Sequence, residues 1–454
     1  MSIPALEQQF ERQRGQLPGP TDSRREALAA FLAKGFPTRR DEAWRYTDLK
    51  PIATGRFEFA TPPPSEASRS EVRALLAEAA ADGSAPGEPA VPADGAPAEP
   101  AHDAPAARAV FVDGRLDDTL SRLTPVPGLA IVDLAAEWKR FDEPVRRRRF
   151  EGHPLAQLNR AFARDGIAIR VSAGTEVRAP LELFLAGGGE TNLAPQPRIA
   201  IELERGAALT VVVHCLDAGG AANWLNLVID VAQAEGSRLT LHRVQEHGPE
   251  VFHTSLLAAD LAKDASLEVG YVDLGGRLAR NDIDVKLNEP GAHASVFGVF
   301  LASPGQHIDD QIRIDHAAPH TTSDTAFRGI ADGNGHGVFN GKVVVRRDAQ
   351  RIEARQTSDN LLLSERAEID TKPELEIYAD DVKCSHGATV GELDEEQLFY
   401  LRSRGIDDAA ARGLLTFAFA NSLLRRLGPA WLRERAARKV AGQLPDHGRW
   451  ESLV

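Results

Sequence analysis

Four short segments, LERGAALTV, QAEGSRLTL, LAKDASLEV and NEPGAHASV, repeat one strand–turn–strand pattern, and their spacing limits the folds open to this chain. The matching turn positions are Gly206, Gly236, Asp264 and Gly291, separated by 30, 28 and 27 residues. From about Ala168 to Val390, alternating apolar runs such as Arg198–Leu203 and Leu209–Val213 are punctuated by Gly, Asp and Asn, with no helical stretch between them. A β-sandwich also produces many short strands. Spacing that stays near one coil for four turns, in a region longer than two hundred residues, favours a solenoid in which each coil stacks on the last.

Both flanks read as helical. Ser23-Arg24-Arg25-Glu26 fits a capping box ahead of Leu28, Phe31 and Leu32, and Gly35 and Pro37 stop that helix. A second helix is expected from Ser68 to Leu76. Residues 79–108 are rich in Ala and Pro, and Val91 is the only large aliphatic residue between Leu76 and Val110. So little apolar surface cannot offset the entropy of ordering, so the stretch reads as a disordered insertion. Beyond Gly391, Asp394 caps a helix with Gln397 at its third position, Gly405 ends it, and Asp407 opens the next. That helix carries Leu414, Leu415, Phe417, Phe419, Leu423, Leu424 and Leu427 and stops at Gly428. A last helix runs through Trp431, Leu432, Val440 and Leu444. The expected organisation is a helical region over 1–150, a solenoid over 151–391 and a helical domain over 392–454. Leu414, Phe417, Phe419 and Leu423 offer more apolar surface than a terminal hairpin needs. Phe417 and Phe419, two residues apart, point to different sides, which leaves one side for a partner.

The net charge of −13 gives no general reason to hold nucleic acid, and the basic run Arg146–Arg149 reads as a solvated helix face. There is no apolar leader and no apolar run near the ~20 residues needed to cross a bilayer, which points to the cytoplasm. Two cysteines, Cys215 and Cys384, cannot build a four-cysteine cluster in one chain. No G-x-x-x-x-G-K-[ST], G-x-S-x-G, H-E-x-x-H or C-x-x-C motif occurs, no flavin motif is legible, and Gly333, Gly335 and Gly337 read as turn chemistry. The chain is therefore expected not to be an enzyme. A carbohydrate-active solenoid would need paired carboxylates, and the adjacent Asp309 and Asp310 should point to opposite faces. Six histidines, His293, His307, His316, His320, His336 and His386, fall in the later solenoid. Pro319 argues against a helical His316/His320 pair, and no metal site is assigned there. In Lys383-Cys384-Ser385-His386-Gly387, Cys384 and His386 should share one face of a strand, about 7 Å apart. They would offer a thiol and an imidazole, both iron and zinc ligands, with Lys383 favouring the thiolate. Cys215 reads as a small hydrophobe.

Residues 354–406, ARQTSDNLLLSERAEIDTKPELEIYADDVKCSHGATVGELDEEQLFYLRSRGI, resemble the C-terminal signature of the SufB/SufD family of iron–sulfur cluster assembly proteins. Leu158-Asn159-Arg160-Ala161-Phe162 followed by Asp165-Gly166 is similar to the entry into that family's β-helix. Arg40–Asp48 and the scarcity of cysteine resemble the SufD branch rather than SufB. The resemblance covers the chain except for residues 79–108. It implies a right-handed parallel β-helix with helical domains at both ends, pairing with SufB through the β-helix and binding the SufC ATPase on the C-terminal helices. The cluster would be transient and shared with SufB, with sulfur supplied by a cysteine desulfurase and its sulfur-transfer partner. It also implies that His386 belongs to the cluster-assembly interface, with Cys384 less certainly required. A SufB-like or self-paired scaffold is the alternative, and a carbohydrate-active enzyme a weaker one.

Overall fold

The computed structural model describes residues 3–59, 61–81, 105–143, 148–189, 192–220, 222–445 and 447–450. Its core is a parallel solenoid. The N-terminal strands are β1 (Ala107–Val112), β2 (Arg115–Leu116) and β3 (Leu129–Asp133). The solenoid proper contains β4 (Gly166–Val171), β5 (Leu181–Gly187), β6 (Arg198–Leu203), β7 (Ala208–Asp217), β8 (Trp224–Gln233), β9 (Arg238–Gln245), β10 (Phe252–Leu261) and β11 (Ser266–Asp273). It continues through β12 (Leu278–Leu287), β13 (His293–Ala302), β14 (His307–His316), β15 (Thr322–Ala331), β16 (His336–Val345), β17 (Ile352–Leu362), β18 (Glu368–Ile377) and β19 (Val382–Gly391). Successive strands alternate between two sheets. The odd sheet runs β19 back to β5 and then β1 and β2; the even sheet runs β18 back to β4 and then β3.

In-register parallel pairing stacks like on like. Ile199, Ile229, Leu257, Ile283 and Ile312 occupy one ladder across five coils, and all are buried in the solenoid core. The turns repeat too. Gly206, Gly236, Asp264 and Gly291 all have positive φ, between 55° and 78°. The amide of Gly206 bonds to Glu235 O at 2.9 Å, that of Gly236 to Lys263 O at 2.9 Å and that of Asp264 to Pro290 O at 3.1 Å, so each turn rests on the next. Gly174 (φ 68°), His320 (φ 60°) and Arg351 (φ 59°) extend the same series in both directions.

The helices cover the outer faces of the sheets. At the N-terminal side they are α1 (Ile3–Gln13), α2 (Thr21–Lys34), α3 (Lys50–Thr54), α4 (Glu66–Ala81), α5 (Leu134–Phe141) and α6 (Pro154–Phe162). Leu6, Phe10, Phe31, Trp44 and Phe57 pack with Trp224, Phe252 and Leu278 of the even sheet. The N-terminal region thus supplies β1 and β3 to the sheets as well as helices. α2 begins at Thr21 rather than behind a Ser23 cap. Ser23 is buried instead, its hydroxyl donating to Asp142 and accepting from Arg160 Nη2 at 2.8 Å, so a tertiary contact has displaced the cap. α4 extends past the expected end at Leu76 to Ala81. Most of the expected insertion, 82–104, and Arg146 and Arg147 of the basic run lie outside the described residues. Arg149 is not on a solvated face: its guanidinium pairs with Asp230 and Asp260.

At the C-terminal side are α7 (Glu395–Ser403), α8 (Asp408–Leu424), α9 (Ala430–Gln443) and α10 (His447–Trp450). Asp394 accepts from the amides of Glu396 and Gln397, and Asp407 from that of Ala410, as their cap positions require. Phe417, Ala420, Leu424, Leu427, Trp431 and Leu432 form one cluster with Val212, Val244, Val272, Phe297 and Ile330 of the odd sheet. The apolar face of α8 is therefore not spare. Phe417 is buried, Leu414, Phe419 and Leu423 are half-buried against the same cluster, and Arg328 sits over the Phe419 ring. Among the described residues no helix is long and apolar enough to cross a membrane.

Candidate functional site

The solenoid ends on two open strands. Among the described residues β18 pairs only with β16, and β19 only with β17, each in parallel over ten residues, so both present a free edge at the same end. A free edge is a row of unpaired amides and carbonyls ready to pair with another chain. The side chains there are dressed for contact. Six large hydrophobic side chains are exposed among the described residues, and five of them lie in this end and the helix after it: Ile377, Tyr378, Val390, Phe399 and Tyr400.

β19 carries the thiol and imidazole. Its period of two puts Cys384 and His386 on one face, where Cys384 stacks on Ala354 and His386 on Gln356 of β17. Ala354 and Gln356 are both buried, so the pair continues an inward-facing column at the point where no further coil covers it. Cys384 is half-buried among Ile352, Ala354 and Ala379, whereas His386 is exposed. Gln356 donates to Gly341 O at 2.9 Å, and its Oε1 has no hydrogen-bond partner. Lys383 does not activate the thiol. It points to the other face and pairs with Glu353 at 3.1 Å, and burial pushes the Cys384 thiol up from its ordinary value. Of the two, His386 is the accessible group.

The family described as "SUF system FeS cluster assembly, SufBD core domain" matches residues 185–419, more than half of the chain. The chain belongs to the SufBD family. An iron–sulfur cluster assembly SufBD family protein of Synechocystis is 30% identical, covering 96% of this chain and 94% of that protein. The iron–sulfur cluster assembly protein SufD of Escherichia coli is 28% identical over 93% of this chain and 92% of its own. The assembly protein SufB of Bacillus subtilis is 27% identical over 60% and 59%.

Two further polar assemblies of this SufBD protein were not expected from its sequence. The first lies inside the solenoid. Arg243 donates to Asp273 at 2.6 Å and to Ser255 at 2.9 Å, Ser255 donates to Asn281 Oδ1 at 2.9 Å, and Asn281 donates to Asp310 at 2.8 Å. All are buried, and burial pushes the Asp310 carboxyl well up. Cys215, His247 and His253 border this column with ligand atoms close together. His247 and His253 already satisfy one another at 3.2 Å, with Asp217 and Arg243 at the two ends. Burial pushes Cys215 up to about 12, in keeping with its reading as a small hydrophobe. Asp309 and Asp310 do face opposite ways, Asp309 outward to Arg280 and Asp310 inward to Asn281.

The second assembly lies outside, where the Arg40–Asp48 segment crosses the even sheet. Arg280 packs over Trp44 at 4.0 Å and binds Asp282 and Asp309. Thr47 is buried and donates to Asp309, with His307 Nε2 2.8 Å from the same hydroxyl. His307 in turn meets His336 at 3.1 Å. The signal that could have found this pair is their separation of 29 residues, one coil of the repeat.

Proposed function

We propose that this chain is the SufD-type scaffold subunit of a SUF assembly machinery. It pairs with a SufB chain across the open strands β18 and β19, and a transient iron–sulfur cluster is built at that junction from sulfur passed on by a cysteine desulfurase and its sulfur-transfer partner. The observation that carries this reading is the pair of unpaired ten-residue edge strands that end the solenoid with His386 exposed on the inward column. A single chain with two free cysteines, one of them deep in the core, cannot close a cluster site, so ligands from a second chain are needed. Coverage of nearly the whole SufD-named relative, against 59% of the SufB-named one, supports the SufD role. The chain itself is non-catalytic in this reading, ATP hydrolysis belongs to the SufC partner, and the setting is a reducing cytoplasm. His386 ligates iron or relays a proton at the junction; Cys384 packs the end of the column and serves as a secondary ligand.

SufC docks on the C-terminal helices. Because α8 spends Phe417 and the flank of Leu414, Phe419 and Leu423 on the odd sheet, the contact falls to α7, where Phe399 is 72% and Tyr400 56% exposed. A second copy of this chain could also pair with the open edge, giving the self-paired scaffold.

The test is His386→Ala, which faces solvent and should leave folding intact. Complex yield and ATPase rate should match the parent while cluster content in cells falls at least tenfold; Cys384→Ser should be milder. Undiminished cluster content in His386→Ala contradicts the assignment, and loss of complex yield instead marks His386 as an interface-packing residue.

A further inference from the structure

We propose that His336, Glu368 and Asp370, at the heads of β16 and β18, form a binding site for one first-row divalent cation on the outer face of the even sheet. The ladder places them. His307, His336 and Glu368 are aligned partners on three successive coils, and Asp370 lies two residues beyond Glu368 on the same face. One ligand atom from each of His336, Glu368 and Asp370 lies within 4.8 Å of the other two. A single ion can bridge that spacing.

The hydrogen bonds around His336 orient it as a ligand. Thr47 has one hydroxyl hydrogen, and it is directed at Asp309, a carboxylate already bound by Arg280. The Thr47 oxygen therefore accepts from His307 Nε2–H, 2.8 Å away. Neutral His307 then presents a lone pair at Nδ1, and among the described residues the group facing it is Nδ1 of His336, 3.1 Å away. His336 must donate there, which turns its Nε2 toward Asp370 Oδ2 at 2.9 Å. His336 Nε2 and Asp370 Oδ2 thus face one another across a gap that one cation can bridge. Metal-ligating histidines characteristically have the second ring nitrogen tied down in this way. Glu368 adds a second carboxylate that has no ion-pair partner among the described residues.

The donor set defines the ion. One imidazole with two carboxylates suits Mn2+, Fe2+ or Zn2+; a soft Cu(I) ion would want a thiolate, and Mg2+ or Ca2+ an all-oxygen cage. Three protein ligands leave positions open toward a cavity of about 640 Å³. Arg39, Arg45 and Arg277 line that cavity together with Asp48, Glu368 and Asp370, so its formal charges balance before the ion enters. Arg39 is also held by a bond to Arg45 O at 3.0 Å. A bound dication would make the cavity positive, and water or a small anion would complete its coordination.

The experiment is titration of the metal-stripped full-length chain with Mn2+, followed by electron paramagnetic resonance of the free ion, with anaerobic Fe2+ and Zn2+ as competitors. The expected result is one bound equivalent, displaced by either competitor. Asp370→Asn and Glu368→Gln, both at solvent-accessible positions, should each weaken binding at least tenfold with unchanged melting temperature. Thr47→Val keeps all three ligands but removes the acceptor for His307, and it should weaken binding about 10- to 100-fold. His386→Ala should bind as the parent does. Failure to bind one equivalent, or parental affinity in Asp370→Asn and Glu368→Gln, overturns the proposal, as does binding lost in His386→Ala and kept in Asp370→Asn.

Discussion

At the scale of single residues, several histidines of this protein are buried as neutral groups, and this sets a pH dependence. His316 bonds through Nδ1 to Thr321 at 2.8 Å and through Nε2 to Ser323 at 2.9 Å. Burial pushes it down to about 4, with the charge of Asp315 opposing. Between about 4 and the ordinary histidine value near 6.5 the unfolded chain binds the proton and the folded one does not, so stability falls as pH drops through that window. His316→Gln should flatten this part of the profile, which melting temperatures at pH 7, 6, 5 and 4 would measure; an unchanged slope would show that His316 is not the source. The sequence made the same-face relation of Cys384 and His386 legible because a strand's period is two. It misjudged Lys383, whose charge goes to Glu353 across the ladder, since neighbours on the next coil are invisible in the local sequence. His307 and His336 were hidden for the same reason.

At the scale of elements, the turns show what a sequence displays and what it conceals. Gly206, Gly236 and Gly291 advertise their left-handed backbone, whereas His320 and Arg351 occupy the same step of the coil without a glycine to mark it. The repeat was therefore legible for four turns and not for the later ones at His320 and Arg351. Nothing lies within 4 Å of a Cβ added at Gly236, so Gly236→Ala isolates the backbone cost. It should destabilise the fold by about 1–2 kcal/mol, read as a shift in the denaturant midpoint without a change in slope; a neutral result would mean that the turn relaxes. Helix starts were legible where an Asp caps freely, at Asp394 and Asp407, and not at Ser23, which Asp142 and Arg160 claim from across the chain. Likewise the apolar stripe of α8 was visible but not its occupant, the odd sheet. Removing everything after Gly391 would bare Val212, Val244, Val272 and Phe297, so truncation cannot test docking cleanly. The double substitution Phe399→Ala with Tyr400→Ala should instead reduce SufC binding at least tenfold in a pull-down with purified SufC while melting is unchanged. Parental binding would place the ATPase elsewhere.

At the scale of the whole molecule, the architecture is a solenoid whose sides are covered by its own helices and whose final coil is not. N-terminal helices and the Trp44 segment cover the even sheet, and α4, α8 and α9 cover the odd sheet. What remains open is the end formed by β18 and β19, with exposed Ile377, Tyr378 and Val390 beside it. Edges of this length are usually blunted by charge, proline or a covering loop unless they are meant to be paired, and Pro373 interrupts only one of the two. In the proposed function the pairing chain is a separate SufB. The direct test is the native mass of the assembly purified after co-expression of this chain with SufB and SufC. One copy of this chain bound to one SufB, with SufC attached, is the predicted composition; a homodimer of this chain, or a monomer with SufB running free, would rule out the SufB pairing.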